Sequence, residues 1–291
     1  MRYRVAHTTE FIYAARVGLC YNEARLLPRD LPQQSVQTSG LQIEPMPHDY
    51  YERFDYFGNR TVYFSIQQPH DQLCVTAHSE VDTSATIPEE AAGRLSWEMA
   101  RERLRNVRSA EILDASQFVL DSPTVVVNDL ILNYALPSFT PGRPLIEAVH
   151  DLMQRIFHEF NYDPEFSTIA TPLKDVLEHR SGVCQDFAHL AIGCLRSMGL
   201  AARYVSGYIE TEPPPGEERL VGADASHAWF SAFLPEHGWL DFDPTNNQLP
   251  GERHITVAWG RDFADVTPLK GVAFGSGEHE LKVAVDVLAI E

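Results

Sequence analysis

Residues 180–208 read RSGVCQDFAHLAIGCLRSMGLAARYVSGY. A small-residue turn, Ser181-Gly182-Val183, runs into a helical stretch from Cys184 to Met198, and Gly199 is the residue type that closes helices. Cys184, Phe187, Ala191, Cys194, Leu195 and Met198 fall on one face of that helix. Cys184 stands at its start, where free N–H groups and the positive dipole end favour a thiolate. The same N–H groups suit the oxyanion of a tetrahedral intermediate. The other reading of Cys184 is a small buried hydrophobe, the usual fate of a free cysteine. Cys194 lies mid-helix on the apolar face and is expected in the core. Cys20 and Cys74 lie in β-patterned sequence, far from any helix start, and are expected to be structural.

Downstream, residues 226–247 read SHAWFSAFLPEHGWLDFDPTNN. The segments 226–234 and 239–243 have strand character, and Pro235-Glu236-His237-Gly238 between them has turn chemistry. On the first strand, His227, Trp229, Ser231 and Phe233 share a face; on the second, Trp239, Asp241 and Asp243 do. A hairpin brings Asp243 toward His227, where a carboxylate can fix the imidazole tautomer. The register must put both on the same face, or a bulge must intervene. Asp241 is the runner-up for the orienting acid. Taken singly, His227 also reads as a satisfied core histidine and Asp243 as a turn residue before Pro244. Taken together, a helix-start thiol, a strand imidazole and a next-strand carboxylate have the order nucleophile, base, orienter. A metal site joining Cys184 to His179 or His189 is a further reading, but the ligand spacing is wrong for one, and no metal is expected.

Working outward, residues 1–82 alternate apolar and polar in short runs: Tyr3, Val5, His7; Val62, Phe64, Ile66; Leu73, Val75, Ala77, Val81. Such runs, with a tight turn at Gly58-Asn59, predict an antiparallel sandwich. Pro88 to Asn106 predicts a helix, and 107–140 is ambiguous. Leu145, Val149, Leu152, Ile156 and Phe160 form one helical stripe. Thr171-Pro172 predicts the start of a short helix ending near His179. A strand is expected over 202–210. The Pro- and Glu-rich stretch 211–224, TEPPPGEERLVGAD, is expected to be a flap beside His227. The tail from His279 to Ile290 alternates again. The division expected is a β-rich domain over 1–82, a mostly helical connector over 83–140, a catalytic core over 141–250 and a C-terminal β extension over 251–291.

The bulk properties narrow the partners. The chain has 291 residues, 44% hydrophobic and 22% charged, with a formal net charge of −18. So acidic a surface disfavours phosphate backbones and anionic lipid heads, so neither nucleic acid nor membrane is expected as a partner. No apolar run reaches the roughly 18 residues of a membrane span. The first residues, MRYRVAHTTEFIYAA, alternate like a strand and lack a continuous apolar segment, so cytoplasm is the expected location. The four cysteines are scattered and contain no CxxC pair, so free thiols are expected.

At 180–208, 226–247 and the upstream FNYDP (160–164), the chain resembles the transglutaminase-like superfamily, whose pattern is a GxC helix start, an HAW-type strand and a DPT strand end. The HTTEFIYAARV and DYFGN segments resemble the β-rich N-terminal region of the bacterial branch. AWGRDFADVTPLKG (258–271) resembles the segment following that branch's core. The resemblance implies an α+β fold: a papain-like catalytic core preceded by an antiparallel β-sandwich-like domain. It implies Cys184 as nucleophile, His227 as base and Asp243 as orienting acid, with Tyr162 assisting the oxyanion. It implies cofactor-free cysteine chemistry on the amide of a peptide or protein: hydrolysis, or transfer to an amine. Animal crosslinking enzymes of the superfamily carry Trp after the nucleophile and acidic calcium-binding clusters. Here Gln185 follows Cys184 and such clusters are not recognisable, which favours amide hydrolysis over crosslinking. A binding module with a vestigial site is the reading from another class, and the intact Cys, His and Asp argue against it.

Overall fold

In the N-terminal 83 residues, alternation dictates strands: β1 (Arg2–Val17), β2 (Leu19–Ala24), β3 (Gln34–Glu44), β4 (Asp49–Phe54), β5 (Arg60–Ile66) and β6 (His70–Thr83). The computed structural model describes residues 1–85, 95–168, 171–210, 226–235, 237–275 and 277–290. A connector of short helices follows: α1 (Trp97–Asn106), α2 (Ala110–Ser116) and α3 (Asp129–Ala135). The core then runs α4 (Leu145–Glu159), β7 (Asn161–Tyr162), α5 (Leu173–His179), β8 (Ser181–Gly182), α6 (Cys184–Ser197), β9 (Ala202–Ile209), β10 (Ser226–Leu234), β11 (Gly238–Phe242), β12 (His254–Gly260) and α7 (Phe263–Val266). The chain closes with β13 (Leu269–Phe274) and β14 (His279–Ala289).

Two four-stranded antiparallel sheets, β14-β1-β6-β3 and β13-β2-β5-β4, form the sandwich. Leu26, Val62, Phe64, Ile66, Leu73 and Val75, all buried, fill one core between them. A larger core gathers the helices and the sheet β11-β10-β9-β12, and it takes in Tyr3, Val5, Val81, Val285 and Val287 from the sandwich. The sheet β14-β1-β6-β3 therefore turns one buried face to both cores, with Leu73 and Val75 toward the sandwich core and Tyr3, Val5, Val81, Val285 and Val287 toward the larger one. The fold is α+β, with a papain-like core set against a β-sandwich. Residues 251–291, expected as a C-terminal extension, are divided: β12 is an edge strand of the sheet β11-β10-β9-β12, while β13 and β14 pair with β2 and β1.

The exposed edge of β12 is covered by side-chain amides from the sandwich. Gln34 donates to the carbonyl of Thr256 at 2.7 Å and accepts from its N–H at 2.8 Å. Asn59 does the same at Trp259, at 2.8 and 2.9 Å. Each amide supplies the donor and acceptor that a neighbouring strand would have supplied, so the edge needs no further strand.

Local signals decide where the helices begin. Ser96 caps α1 by accepting from the Met99 N–H, so that helix starts at Trp97; the earlier part of the predicted helix, 88–94, lies outside the described residues. The ambiguous 107–140 stretch holds α2 and α3, capped by Ser109 and Asn128. The helix expected to open on Thr171 with Pro172 at its first turn instead has Pro172 at its cap position, and left-handed Arg180 (φ 53°) closes it. All five predicted stripe residues of the α4 segment are buried. The stretch 211–224, expected to be a flap, lies outside the described residues.

Candidate active site

Cys184 is the first residue of α6, half-buried and a free thiol. Two features hold the turn before it. The Asp186 carboxylate accepts from the Val183 N–H at 2.9 Å and from the Ser167 hydroxyl at 2.6 Å, tying the helix start to the loop after β7. Gly182 leaves room for that carboxylate: a Cβ there would come within 2.9 Å of Asp186 Oδ2. Tyr162 is brought alongside by the short parallel pairing of β7 with β8, where Asn161 faces Ser181 and Tyr162 faces Gly182. The phenol is half-exposed. Burial, and after it the charge of Cys184, raises its pKa above the ordinary tyrosine value.

His227, the second residue of β10, pairs across the sheet with Gly207 of β9. Gly207 cannot carry a side chain, because a Cβ would meet the Ile255 carbonyl at 2.2 Å and the Trp229 ring at 2.5 Å. The Trp229 indole thus lies over a bare backbone, with the His254 ring edge-on to it at 5.2 Å. On the other side β10 pairs with β11, Ser231 opposite Asp241 and Phe230 opposite Phe242, without a bulge. Counting outward by twos, His227 and Asp243 share the face, so the register condition is met.

His227 Nε2 lies 2.8 Å from Asp243 Oδ2, and Cys184 is near enough to the same ring to raise its pKa. With Nε2 engaged by Asp243, Nδ1 is the nitrogen that serves the sulfur. Burial by itself favours neutral imidazole, but the bonds and charges of Asp243 and Cys184 outweigh it and raise the His227 pKa to about 10. Asp243 is fully buried and surrounded by donors. Its Oδ2 takes His227, His254 Nε2 at 3.2 Å and Asn246 Nδ2 at 2.7 Å; its Oδ1 takes the N–H groups of Thr245 at 3.0 Å and Asn246 at 3.3 Å. Burial is the largest influence on it and opposes ionisation. The donors, His227 and His254 first, outweigh burial and hold the carboxyl well below the usual carboxylate range.

Asp241 is committed elsewhere. Its oxygens accept from Trp229 Nε1 at 3.0 Å and from the Ser231 hydroxyl. Cys194 is fully buried, with its thiol pKa pushed up by burial; Cys20 is buried and Cys74 half-buried. His189 Nε2 accepts from the Phe263 N–H at 3.1 Å, and His179 Nδ1 lies 2.9 Å from the Asp175 carbonyl. Neither joins Cys184 in a ligand cluster among the described residues. The one group there with metal-ligand spacing is His227, Asp243 and His254, with donor atoms within 4.8 Å of one another. Asn246 Nδ2 sits among them, 3.3 Å from His227 Nε2, so the group is already knit together as a hydrogen-bond network.

Three contributors were missed in the sequence. Asn246 had a signal, since DPTNN places it three residues after Asp243 where an Asx turn returns to its own carboxylate. Asp186 had one as well, at the third helical position, where an acid reaches back to the cap N–H. His254 had none; it comes from a strand whose place beside β9 no local pattern gives.

A papain-like core with a helix-start thiol and an imidazole–carboxylate pair on adjacent strands defines a class. The chain belongs to the transglutaminase-like superfamily. Residues 137–244 match the model of that superfamily, and residues 3–82 match the bacterial transglutaminase-like N-terminal region. An uncharacterised protein of Mycobacterium tuberculosis is 42% identical over 297 residues, covering 100% of this chain and 93% of that one. One of Mycobacterium leprae is 32% identical over 290 residues, covering 98% of each. A protein-glutamine gamma-glutamyltransferase of Pseudomonas aeruginosa is 36% identical over 107 residues, 34% of this chain and 16% of that one. The crystal structure of "a Putative Cysteine Protease from Cytophaga hutchinsonii" superposes with a TM-score of 0.76 at 19% identity, over 100% of this chain and 91% of that one; that likeness is one of fold. Among the described residues no helix is long and apolar enough to cross a membrane.

Proposed function

We propose that the protein is a cysteine-nucleophile amidase acting on peptide or protein substrates, with Cys184 as nucleophile, His227 as general base and acid, and Asp243 as orienting carboxylate. The observation that carries this reading is the position of His227, bonded through Nε2 to a buried anionic carboxylate and close enough to Cys184 for the thiol to raise its pKa. Such a ring is held in one orientation and is stabilised as imidazolium while the sulfur is a thiolate.

The chemistry follows from those roles. The thiolate adds to the amide carbonyl, and the oxyanion is received at the start of α6, where backbone N–H groups are free of intrahelical partners. The C–N bond breaks as imidazolium Nδ1–H gives its proton to the leaving nitrogen. A thioester on Cys184 and neutral His227 remain. His227 then takes a proton from water, hydroxide adds to the thioester, and the acid departs as the thiolate is regenerated. An amine in place of water gives transamidation. Gln185 after the nucleophile favours water, and transamidation is the alternative that the gamma-glutamyltransferase relative keeps open. The four free thiols support a reducing compartment such as the cytoplasm.

The test is incubation with a peptide library, with and without a primary amine, read by product mass. Cleaved peptide bonds or one-unit deamidation products that vanish in Cys184→Ala are expected. Amine adducts as the main product would make the protein a transglutaminase, and no product under any condition would leave a binding role.

A further inference from the structure

A cavity of about 510 Å³ lies behind the β10–β11 hairpin, between the sheet β11-β10-β9-β12, α2 and the sandwich. Its chemistry is graded with depth. Arg203 of β9 and His254 line it and are buried; Glu111 and Asp114 of α2 line it and are exposed. Asp241 lines it too, so Arg203 and one carboxylate lie inside and the rim is anionic.

The floor has unmet hydrogen-bonding capacity. The Arg203 guanidinium is held between two indoles, its carbon 4.3 Å from the Trp239 ring centroid and 3.7 Å from that of Trp259. Its one side-chain bond among the described residues runs from Nε to Ser231 Oγ, at a long 3.4 Å, leaving both terminal nitrogens without an acceptor there. Asp241 is near in charge, but its oxygens serve Trp229 and Ser231. A buried guanidinium with idle N–H groups, fixed in plane by aromatic faces, is a preorganised fork for a carboxylate. His254 adds a second unmet group: its Nε2 is on Asp243, and its buried Nδ1 has no partner. A simple anion would meet the acidic rim on the way in, and a simple cation would meet Arg203 at the floor. A molecule with both charges, carboxylate leading, satisfies the two ends.

We infer that this cavity binds a small zwitterion, a free amino acid or short peptide, with its carboxylate on Arg203 and its ammonium at the Glu111 and Asp114 rim. The inference does not rest on the acyl-transfer reading. It does put the ligand one side chain from Asp243, through His254.

Titration calorimetry on the full chain carrying Cys184→Ala, which keeps turnover out of the measurement, tests it. Glycine and glycylglycine are the probes, and whichever saturates gives the ligand size. Capping either end, as glycylglycinamide or N-acetylglycylglycine, is expected to weaken glycylglycine binding by about ten-fold or more. Arg203→Met is expected to abolish binding. The exposed Asp114→Asn, which leaves the buried structure untouched, is expected to weaken it several-fold and carries the test even where Arg203→Met fails to fold. Absence of binding by both probes at millimolar concentration, or equal binding of capped and uncapped peptide, overturns the inference.

Discussion

His227 and His254 approach the same oxygen, Oδ2 of Asp243, at 2.8 and 3.2 Å. One carboxylate thus anchors the imidazole beside Cys184 and a second imidazole that comes from β12 and packs on Trp229. Asp243 is fully buried, so its charge persists because of these donors and those of the following turn, Thr245 and Asn246.

That arrangement separates the two acids of β11 and the residue after it. Asp243→Asn would leave His227 without an anion and free to adopt the wrong tautomer, and turnover is expected to fall by about 10³ to 10⁴. Asp241→Asn disturbs the Trp229 and Ser231 bonds and is expected to cost about 1–3 kcal/mol of stability while leaving turnover within an order of magnitude. Steady-state rates and urea unfolding of the two variants check this; the opposite ranking would make Asp241 the orienting acid.

The pair also makes stability depend on pH in a defined window. His227 has a folded pKa raised to about 10 from 6.5, so its contribution is complete below about pH 6.5 and is lost as pH rises toward 10. The depressed pKa of Asp243 works in the other direction: its contribution is present above about pH 4 and is lost as pH falls below that. The difference in unfolding free energy between wild type and His227→Gln is expected to shrink from pH 6.5 upward, by at most about 1.4 kcal/mol per pH unit. A difference that stays flat from pH 6.5 to 10 would mean the imidazole is not held as a cation.

The amide clamp on β12 carries a purely structural prediction. Gln34→Leu strands the Thr256 N–H, while the Thr256 carbonyl keeps the Arg29 N–H at 3.3 Å, and a loss of about 1–3 kcal/mol is expected for one buried backbone group. Asn59→Leu should cost a similar amount through Trp259, and because Arg29 bonds both amides the two losses are expected to be non-additive. Urea midpoints measure both. A loss under about 0.5 kcal/mol in each would mean that water replaces the amides freely.

Much of the architecture was legible because it is written in local periodicity. The alternation in 1–82 gave the sandwich strands, the stripe from Leu145 gave α4, and the Gly199 stop gave the end of α6. The relation of His227 to Asp243 was legible as far as strand parity reaches, since hairpin neighbours are fixed by short-range pairing. What local pattern does not encode is the order of distant strands. That β12 pairs with β9, and that β13 and β14 return to the N-terminal sheets, depends on contacts across most of the chain. His254 and the Arg203 cavity were hidden for that reason. The stretch 107–140 was ambiguous for another reason: α2 and α3 are seven residues each, too short to establish a period, and only their caps mark them.

Selective alkylation tests the core of the account most directly. Iodoacetamide at about pH 6, with each cysteine quantified by peptide mass spectrometry, is expected to label Cys184 well ahead of half-buried Cys74 and buried Cys20 and Cys194. In His227→Ala the preference for Cys184 over Cys74 should vanish. Labelling of Cys184 no faster than Cys74 in the wild-type chain, or a preference that survives removal of His227, would contradict a thiol activated by that imidazole.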